Sequence, residues 1–236
     1  RRHAQIERRV EGDEEYFEIV DLDSSNGTYV NNARVARTRL NNGDKVTMGE
    51  VLLKFIVQDD AEAQYHQVVH RLIHYDRLTG LLTLDAFRQR TEHTLRRAAP
   101  EARHTLAMTD LDGLKRVNDS YGHLAGRMVI REMGIMMREA LGAEDFAGLY
   151  GGDEAIILFS GDCDAARARA EALRQAVAER VFAYQGNEFS VTISQGLAGH
   201  PGHGASWETL VAAADKALYA AKAAGRNRIC TAPDPQ

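Results

Sequence analysis

The chain has 236 residues, a formal net charge of −5, and 44% hydrophobic and 27% charged residues, which is enough for one large core or two smaller ones. No basic block runs through it, which argues against a nucleic-acid groove or an anionic membrane surface, and no apolar run approaches the roughly 18 residues that span a bilayer. The cysteines, Cys163 and Cys230, lack CxxC spacing and fit a reduced, cytoplasmic protein with incidental thiols.

Residues 1–57 read as short strands: Tyr16–Val20, Thr28–Val30, Lys45–Met48 and Val51–Val57, separated by Asp23-Ser24-Ser25-Asn26-Gly27, Asn31-Asn32 and Asn41-Asn42-Gly43-Asp44. Closely spaced strands with turn residues between them predict an antiparallel sandwich. The wording Arg1-Arg2-His3-Ala4-x-Ile6, then Asp21-Leu22-Asp23-Ser24-Ser25-Asn26-Gly27-Thr28-Tyr29-Val30-Asn31, then Leu40-x-x-Gly43-Asp44 and Met48-Gly49 resembles the second half of a forkhead-associated (FHA) domain, a β-sandwich that binds phosphothreonine. In that family a serine just before the Arg-x-His run and an arginine further upstream grip the phosphate, and neither is in this sequence. The resemblance places Ser25 and Asn26 in the peptide-recognition loops and Arg1 at a loop position that can face the peptide, with His3 as a loop brace. An incomplete sandwich over residues 1–58 leaves an unpaired edge and an uncovered apolar face, so the sequence is expected to begin inside the domain. Binding of a phosphothreonine-containing protein then belongs to a longer chain.

Residues 59–75 carry Tyr65, Val68, Val69, Leu72 and Ile73 at helical spacing, which predicts a connecting helix and fits a short parallel pair between two copies. His66, His70 and His74 share one face of it. That spacing is compatible with a metal, but a solvated helix face explains it as well.

From Asp76 helices and strands alternate, as in an α/β domain. Helices are predicted at Leu84–Arg97, His123–Leu141, Asp164–Arg180 and Trp207–Ala224, and strands at Thr105–Thr109, Phe189–Ile193 and Arg228–Thr231. Two further strands, Phe146–Tyr150 and Ala155–Phe159, flank Gly151-Gly152-Asp153-Glu154, a hairpin whose glycines are expected to supply positive φ. Taken alone, that tip reads equally as a solvated charged turn or as oxygen ligands for a hard cation.

Three other segments point the same way: Asp76-x-Leu78-Thr79-Gly80-Leu81, Asp110-Leu111-Asp112-x-Leu114-Lys115-x-x-Asn118-Asp119-x-Tyr121-Gly122-His123-x-x-Gly126, and Ala214-Asp215-x-Ala217-Leu218-Tyr219-x-Ala221-Lys222-x-x-Gly225-Arg226-Asn227. With Gly151-Gly152-Asp153-Glu154 they resemble the GGDEF family of diguanylate cyclases over about residues 70–231. The resemblance implies a nucleotidyl-cyclase palm over residues 76–232, with a mostly antiparallel central sheet flanked by helices and a short tail at 233–236. It implies a bacterial signalling enzyme that joins two GTP molecules into cyclic di-GMP with Mg²⁺ or Mn²⁺, as a homodimer, with no nucleic-acid or membrane partner. Asp110, Asp153, Glu154 and the carbonyl of Leu111 match the metal and catalytic positions, and Asp153 the position that helps deprotonate the attacking hydroxyl. Gly151, Gly152 and Lys115 lie beside the phosphates, Lys222 and Arg226 (read as one turn apart on the last helix) hold the terminal ones, and Asn118 reads the base edge.

The sequence departs from the family at Arg127, where an aspartate usually accepts from guanine. Arginine only donates, so ATP and mixed cyclic GMP-AMP enter as candidate substrate and product. Ala155 replaces the motif's phenylalanine, and Gly142-x-x-Asp145 stands where an Arg-x-x-Asp product-inhibition site is common. Two readings follow: a cyclase, or a degenerate domain that binds nucleotide or protein without cyclase activity.

Overall fold

The structure is a computed structural model that describes residues 2–12, 14–57, 69, 71–99 and 101–233. It divides into two compact units, Arg1–Val68 and Val69–Gln236.

The first unit is all β: β1 (Ala4–Glu11), β2 (Glu14–Asp21), β3 (Thr28–Val30), β4 (Ala33–Val35), β5 (Arg37–Leu40), β6 (Lys45–Met48) and β7 (Val51–Lys54). They form two antiparallel sheets, β1-β2-β5 and β4-β3-β6-β7, around a small core of Ile19, Val30, Leu40 and Val46. Strands β4 and β5 were not anticipated, because arginines fill their outward positions. Arg37 reaches Glu18 at 3.4 Å, and Arg39 pairs with Glu14 and covers the Tyr16 ring. β7 stops at Lys54, short of the predicted Val57, and lies at a sheet edge with Val51, Leu52 and Leu53 all exposed. Among the described residues it is an exposed apolar edge, the kind of surface on which a further strand pairs.

In the connector, His66 and His70 lie outside the described residues. Residues 71–74 are helical, and the His74 carbonyl accepts from the Thr83 amide at 2.8 Å.

The second unit contains α1 (Leu84–Arg97), β8 (His104–Asp112), α2 (Leu114–Tyr121), α3 (His123–Ala140), β9 (Phe146–Gly151), β10 (Glu154–Ser160), α4 (Cys163–Glu179), β11 (Phe182–Tyr184), β12 (Asn187–Phe189), β13 (Thr192–His200), α5 (Trp207–Ala223) and β14 (Ile229–Thr231). Five strands form the central sheet in the order β14-β13-β8-β10-β9, with only β13–β14 parallel. The predicted strand 189–193 is instead the end of β12 and the start of β13, and α2 is an addition to the predicted helices.

Alternation along β8 and β10 divides the core. Ala107, Leu111, Ala155, Ile157 and Phe159 face α2, α3 and α4, while Leu106, Met108, Ile156 and Leu158 face α1 and α5. Ala155 is completely buried in the first of these cores.

Helix α5, which carries Lys222, lies directly on β13 at Gly196. A Cβ there would stand 2.1 Å from the Leu218 nitrogen and 2.2 Å from the Ala214 oxygen. These are backbone atoms, so no rotamer change relieves the clash, and the helix itself must shift. Gly196→Ala is expected to lower unfolding stability by about 1–3 kcal/mol, as overpacking does, measured as a fall in the denaturant midpoint.

Candidate active site

The face of the sheet that is apolar at Leu106, Met108, Ile156 and Leu158 becomes acidic at its end, where the same alternation places Asp110, Asp112 and Glu154. Asp110 and Glu154 are directly opposed across β8 and β10. The Asp153 carbonyl accepts from the Leu111 amide at 3.4 Å, holding the hairpin tip against β8. From α5, Lys222 Nζ lies 2.8 Å from Asp110 Oδ2 and 3.9 Å from Glu154 Oε1. Burial raises the Asp110 carboxyl above the ordinary aspartate range; Lys222 opposes the rise, and Asp153 and Asp112 add to it. Glu154 is raised as well, first by burial and then by Asp110.

Asp110, Asp112, Asp153 and Lys222 line a cavity of about 590 Å³ together with Leu111, Gly113, Leu114, Lys115, Arg116, Thr192 and Arg226, and Glu154 stands outside that lining. Gly113 occupies the left-handed region at φ 81° as the N-cap of α2, and no side chain caps that helix. Its first amides therefore remain available beside the cavity.

Asp112 is a residue the sequence reading did not use. It is 7% exposed, and its carboxylate accepts from Thr192 Oγ1 at 2.8 Å, from Ser194 Oγ at 2.8 Å and from the Asn227 amide at 3.0 Å. Arg226 Nε lies 3.9 Å from it. One buried carboxylate thus ties β8, β13 and the loop after α5 together behind the cavity. A second charged residue two positions after Asp110 was the available signal, because strand alternation turns both to one face.

Two expectations are corrected. Helix α5 ends at Ala223, and Arg226 lies beyond it in a left-handed turn with φ 63°, so Lys222 and Arg226 are not neighbours on one helix. Neither Gly151 nor Gly152 has positive φ; the hairpin instead absorbs its turn by a register shift between Glu154 and Ala155. A Cβ at Gly152 would meet nothing, and one at Gly151 only Glu154 Oε2 at 3.7 Å, so these glycines leave bare space beside the carboxylates rather than serve the backbone. Ala155, where the motif's phenylalanine usually stands, is fully buried in the core on the face opposite the carboxylates.

Asn118 and Arg127 do not line the cavity. Asn118 packs against Gly126, where a Cβ would come within 2.0 Å of its Oδ1, and Arg127 follows directly and is exposed. The carboxylate of Asp145 is already engaged by Arg169 at 2.5 Å, by the Ser160 amide at 2.8 Å and by the Gly142 amide at 3.0 Å.

In the first unit, His3 Nε2 is 3.0 Å from the Gly27 carbonyl oxygen, the brace its position suggested. Asp21 accepts from the hydroxyls of Ser24 and Thr28 and from the Ser24 amide, which together bring its pKa down to about 2. Ser25 and Asn26 are exposed on the loop so formed, and Arg1 lies outside the described residues.

As they stand, no three His, Cys, Asp or Glu side chains among the described residues are arranged to hold a metal ion. The donor set nevertheless suits a hard cation. Two opposed, half-buried carboxylates repel each other, and a positive charge, the Lys222 ammonium, already sits against them. Among the described residues no helix is long and apolar enough to cross a membrane.

An α/β domain with an antiparallel centre and an acidic, cation-flanked cleft at one sheet end defines the class as a nucleotidyl-cyclase palm. The family model described as "Diguanylate cyclase, GGDEF domain" matches residues 73–228, and that for the FHA domain matches residues 1–49. The chain belongs to the GGDEF family. It is 38% identical over 156 residues to diguanylate cyclase DgcP of Pseudomonas aeruginosa, covering 65% of this chain and 23% of that protein. It is 39% identical over 132 residues to diguanylate cyclase A of Treponema denticola, covering 55% and 36% respectively, so it spans well under half of either relative. The crystal structure of the coiled coil and GGDEF domain of DgcB from Caulobacter crescentus, in complex with c-di-GMP, superimposes with a TM-score of 0.67 at 28% identity, covering 73% of this chain and 93% of that one.

Two outcomes follow. Asp112→Asn leaves an amide facing three donors and is expected to lower stability by about 1–3 kcal/mol in denaturant unfolding. The folded state holds the Glu154 proton more tightly than the unfolded chain does, so charged Glu154 weakens folding above its folded pKa, and the penalty fades as pH falls. Glu154→Gln is therefore expected to raise the thermal midpoint of metal-free protein at neutral pH, with a gain that shrinks toward acid pH.

Proposed function

We propose that the second unit condenses two GTP molecules into cyclic di-GMP. The 3′-oxygen of each nucleotide attacks the α-phosphorus of the other, the bond to the β-phosphate oxygen breaks, and two pyrophosphates leave. The observation that carries this reading is Asp110, paired across the sheet with Glu154, in a cavity that it lines with Asp112, Asp153, Lys115, Lys222, Arg226 and an uncapped helix start.

Asp110, Glu154, Asp153 and the Leu111 carbonyl would hold Mg²⁺ or Mn²⁺. When bound, the ion supplies charge neutralisation at phosphate and a lowered pKa for the attacking hydroxyl. Asp153, on the hairpin tip, would take the hydroxyl proton. The amides after Gly113 and the side chains of Lys115 and Arg226 orient the phosphates, and the bare Gly151–Gly152 surface admits them close to the carboxylates. Each cleft accommodates one nucleotide, so the product forms between two copies facing each other. The FHA unit regulates that encounter through a phosphothreonine-containing partner, with Ser25 and Asn26 on its recognition loop.

Base choice falls to Asn118 and Arg127. Arg127 can donate to an acceptor such as adenine N1 but cannot receive the guanine N1–H. It is also the observation that favours a second reading, a domain that binds nucleotide without cyclising it.

Incubating the full chain with Mg²⁺ and GTP, ATP or both, and identifying products by mass, separates the two. A cyclic dinucleotide that disappears in Glu154→Ala supports the enzyme, whereas bound nucleotide with no cyclic product in any mixture supports the binding module. Arg127→Asp is expected to raise turnover of GTP relative to ATP; an unchanged ratio removes Arg127 from base selection.

A further inference from the structure

The cleft carries its own cation. Lys222 Nζ stands 2.8 Å from Asp110 Oδ2 and 3.9 Å from Glu154 Oε1, against two of the carboxylates that would hold a divalent ion. An ammonium and a hard cation draw on the same oxygen lone pairs, so the two compete for Asp110. We infer that Lys222 is a resident counter-ion that occupies the cation position in the nucleotide-free cleft and moves to the phosphates when nucleotide arrives.

This rests on the metal-dependent reading above and adds an order to it. The backbone of α5 is fixed on β13 by the close approach at Gly196, so any exchange is a swing of the four-carbon lysine stem rather than a helix movement. The Lys222 side chain is 31% exposed against 14% for Asp110, so the ammonium has open cavity beside it while its partner stays in place. The same cavity is lined by Lys115, Arg226 and the start of α2, where phosphates would dock within reach of that swing. A divalent ion arriving alone has to displace the ammonium and leave it without a partner. Arriving with a nucleotide, it finds Lys222 already drawn to phosphate oxygens. Cation and nucleotide therefore bind with positive coupling, and the coupling is reciprocal.

The test is calorimetric titration of Mg²⁺ into the nucleotide-free full chain as wild type, Lys222→Met and Lys115→Met. Both variants lose one positive charge, but Lys115 is an exposed residue on α2 with no part in the Asp110 pair. Lys222→Met is expected to bind Mg²⁺ about tenfold more tightly than wild type, the scale of a removed charge-assisted hydrogen bond, and Lys115→Met much less so. Repeating the titration with a GTP analogue bearing a methylene bridge between the α- and β-phosphates should raise wild-type Mg²⁺ affinity by a larger factor than that of Lys222→Met. Circular dichroism checks the fold, with Lys222→Gln as the alternative should the methionine variant be impaired. Equal tightening in both variants, or Lys222→Met binding no more tightly than wild type, overturns the inference. If wild type binds the analogue independently of Mg²⁺, the metal reading fails and the inference with it. If that dependence is present and Lys222→Met is unchanged, only the role of Lys222 fails.

Discussion

The register between β8 and β10 is the constraint on which the second unit depends. Side chains on a strand alternate, so the pairing that buries Leu106 and Met108 beside Ile156 and Leu158 also decides that Asp110 meets Glu154 at the sheet end. A slip of β10 by one residue would turn Glu154 into the opposite core, with Val117 and Val129, and leave Asp110 without it. Core burial of this kind, at roughly 25 cal/mol per Å² of apolar surface, is the force that holds two like charges face to face. Burial is the main reason both carboxyls are raised, and Asp110 adds to the rise at Glu154. Like-charged groups kept together by packing are a common sign of a site shaped for a ligand rather than for stability.

Asp112 and Gly196 carry the same logic into the supporting structure. One is a carboxylate satisfied by hydroxyls and an amide from distant segments, and the other is a bare spot on a strand that lets a helix settle close. Neither lines up with a reacting atom in the proposed mechanism. Between them they set the positions of β13, of α5 and of the loop that bears Arg226, and hence the positions of the cations around the acidic pair.

Much of this was legible in the sequence. The helix α1 was read at its observed bounds, α3, α4 and α5 within a residue at each end, and Asp110, Leu111, Lys115, Asp153, Lys222 and Arg226 do gather around one cavity. What stayed hidden depended on partners far along the chain. The arginines of β4 and β5 look like a solvated loop until Glu14, Glu18 and Tyr16 are seen across from them. Helix α2 lacks a side-chain cap at its start and runs through Asn118-Asp119-Ser120, so local signals for it are weak, although Leu114, Val117 and Tyr121 do share a face. The glycines at the hairpin tip misled in a different way. A residue type with a familiar backbone use was there for the room it leaves, and only the dihedral angles distinguish the two.

The exposed apolar strand β7 has a consequence for how copies of this protein meet. An unpaired edge with Val51, Leu52 and Leu53 outward offers backbone hydrogen bonds and greasy surface to an identical neighbour. Pairing there would join sandwich to sandwich through backbone amides and carbonyls. Strand addition of that apolar kind strengthens with ionic strength and is loosened by detergent.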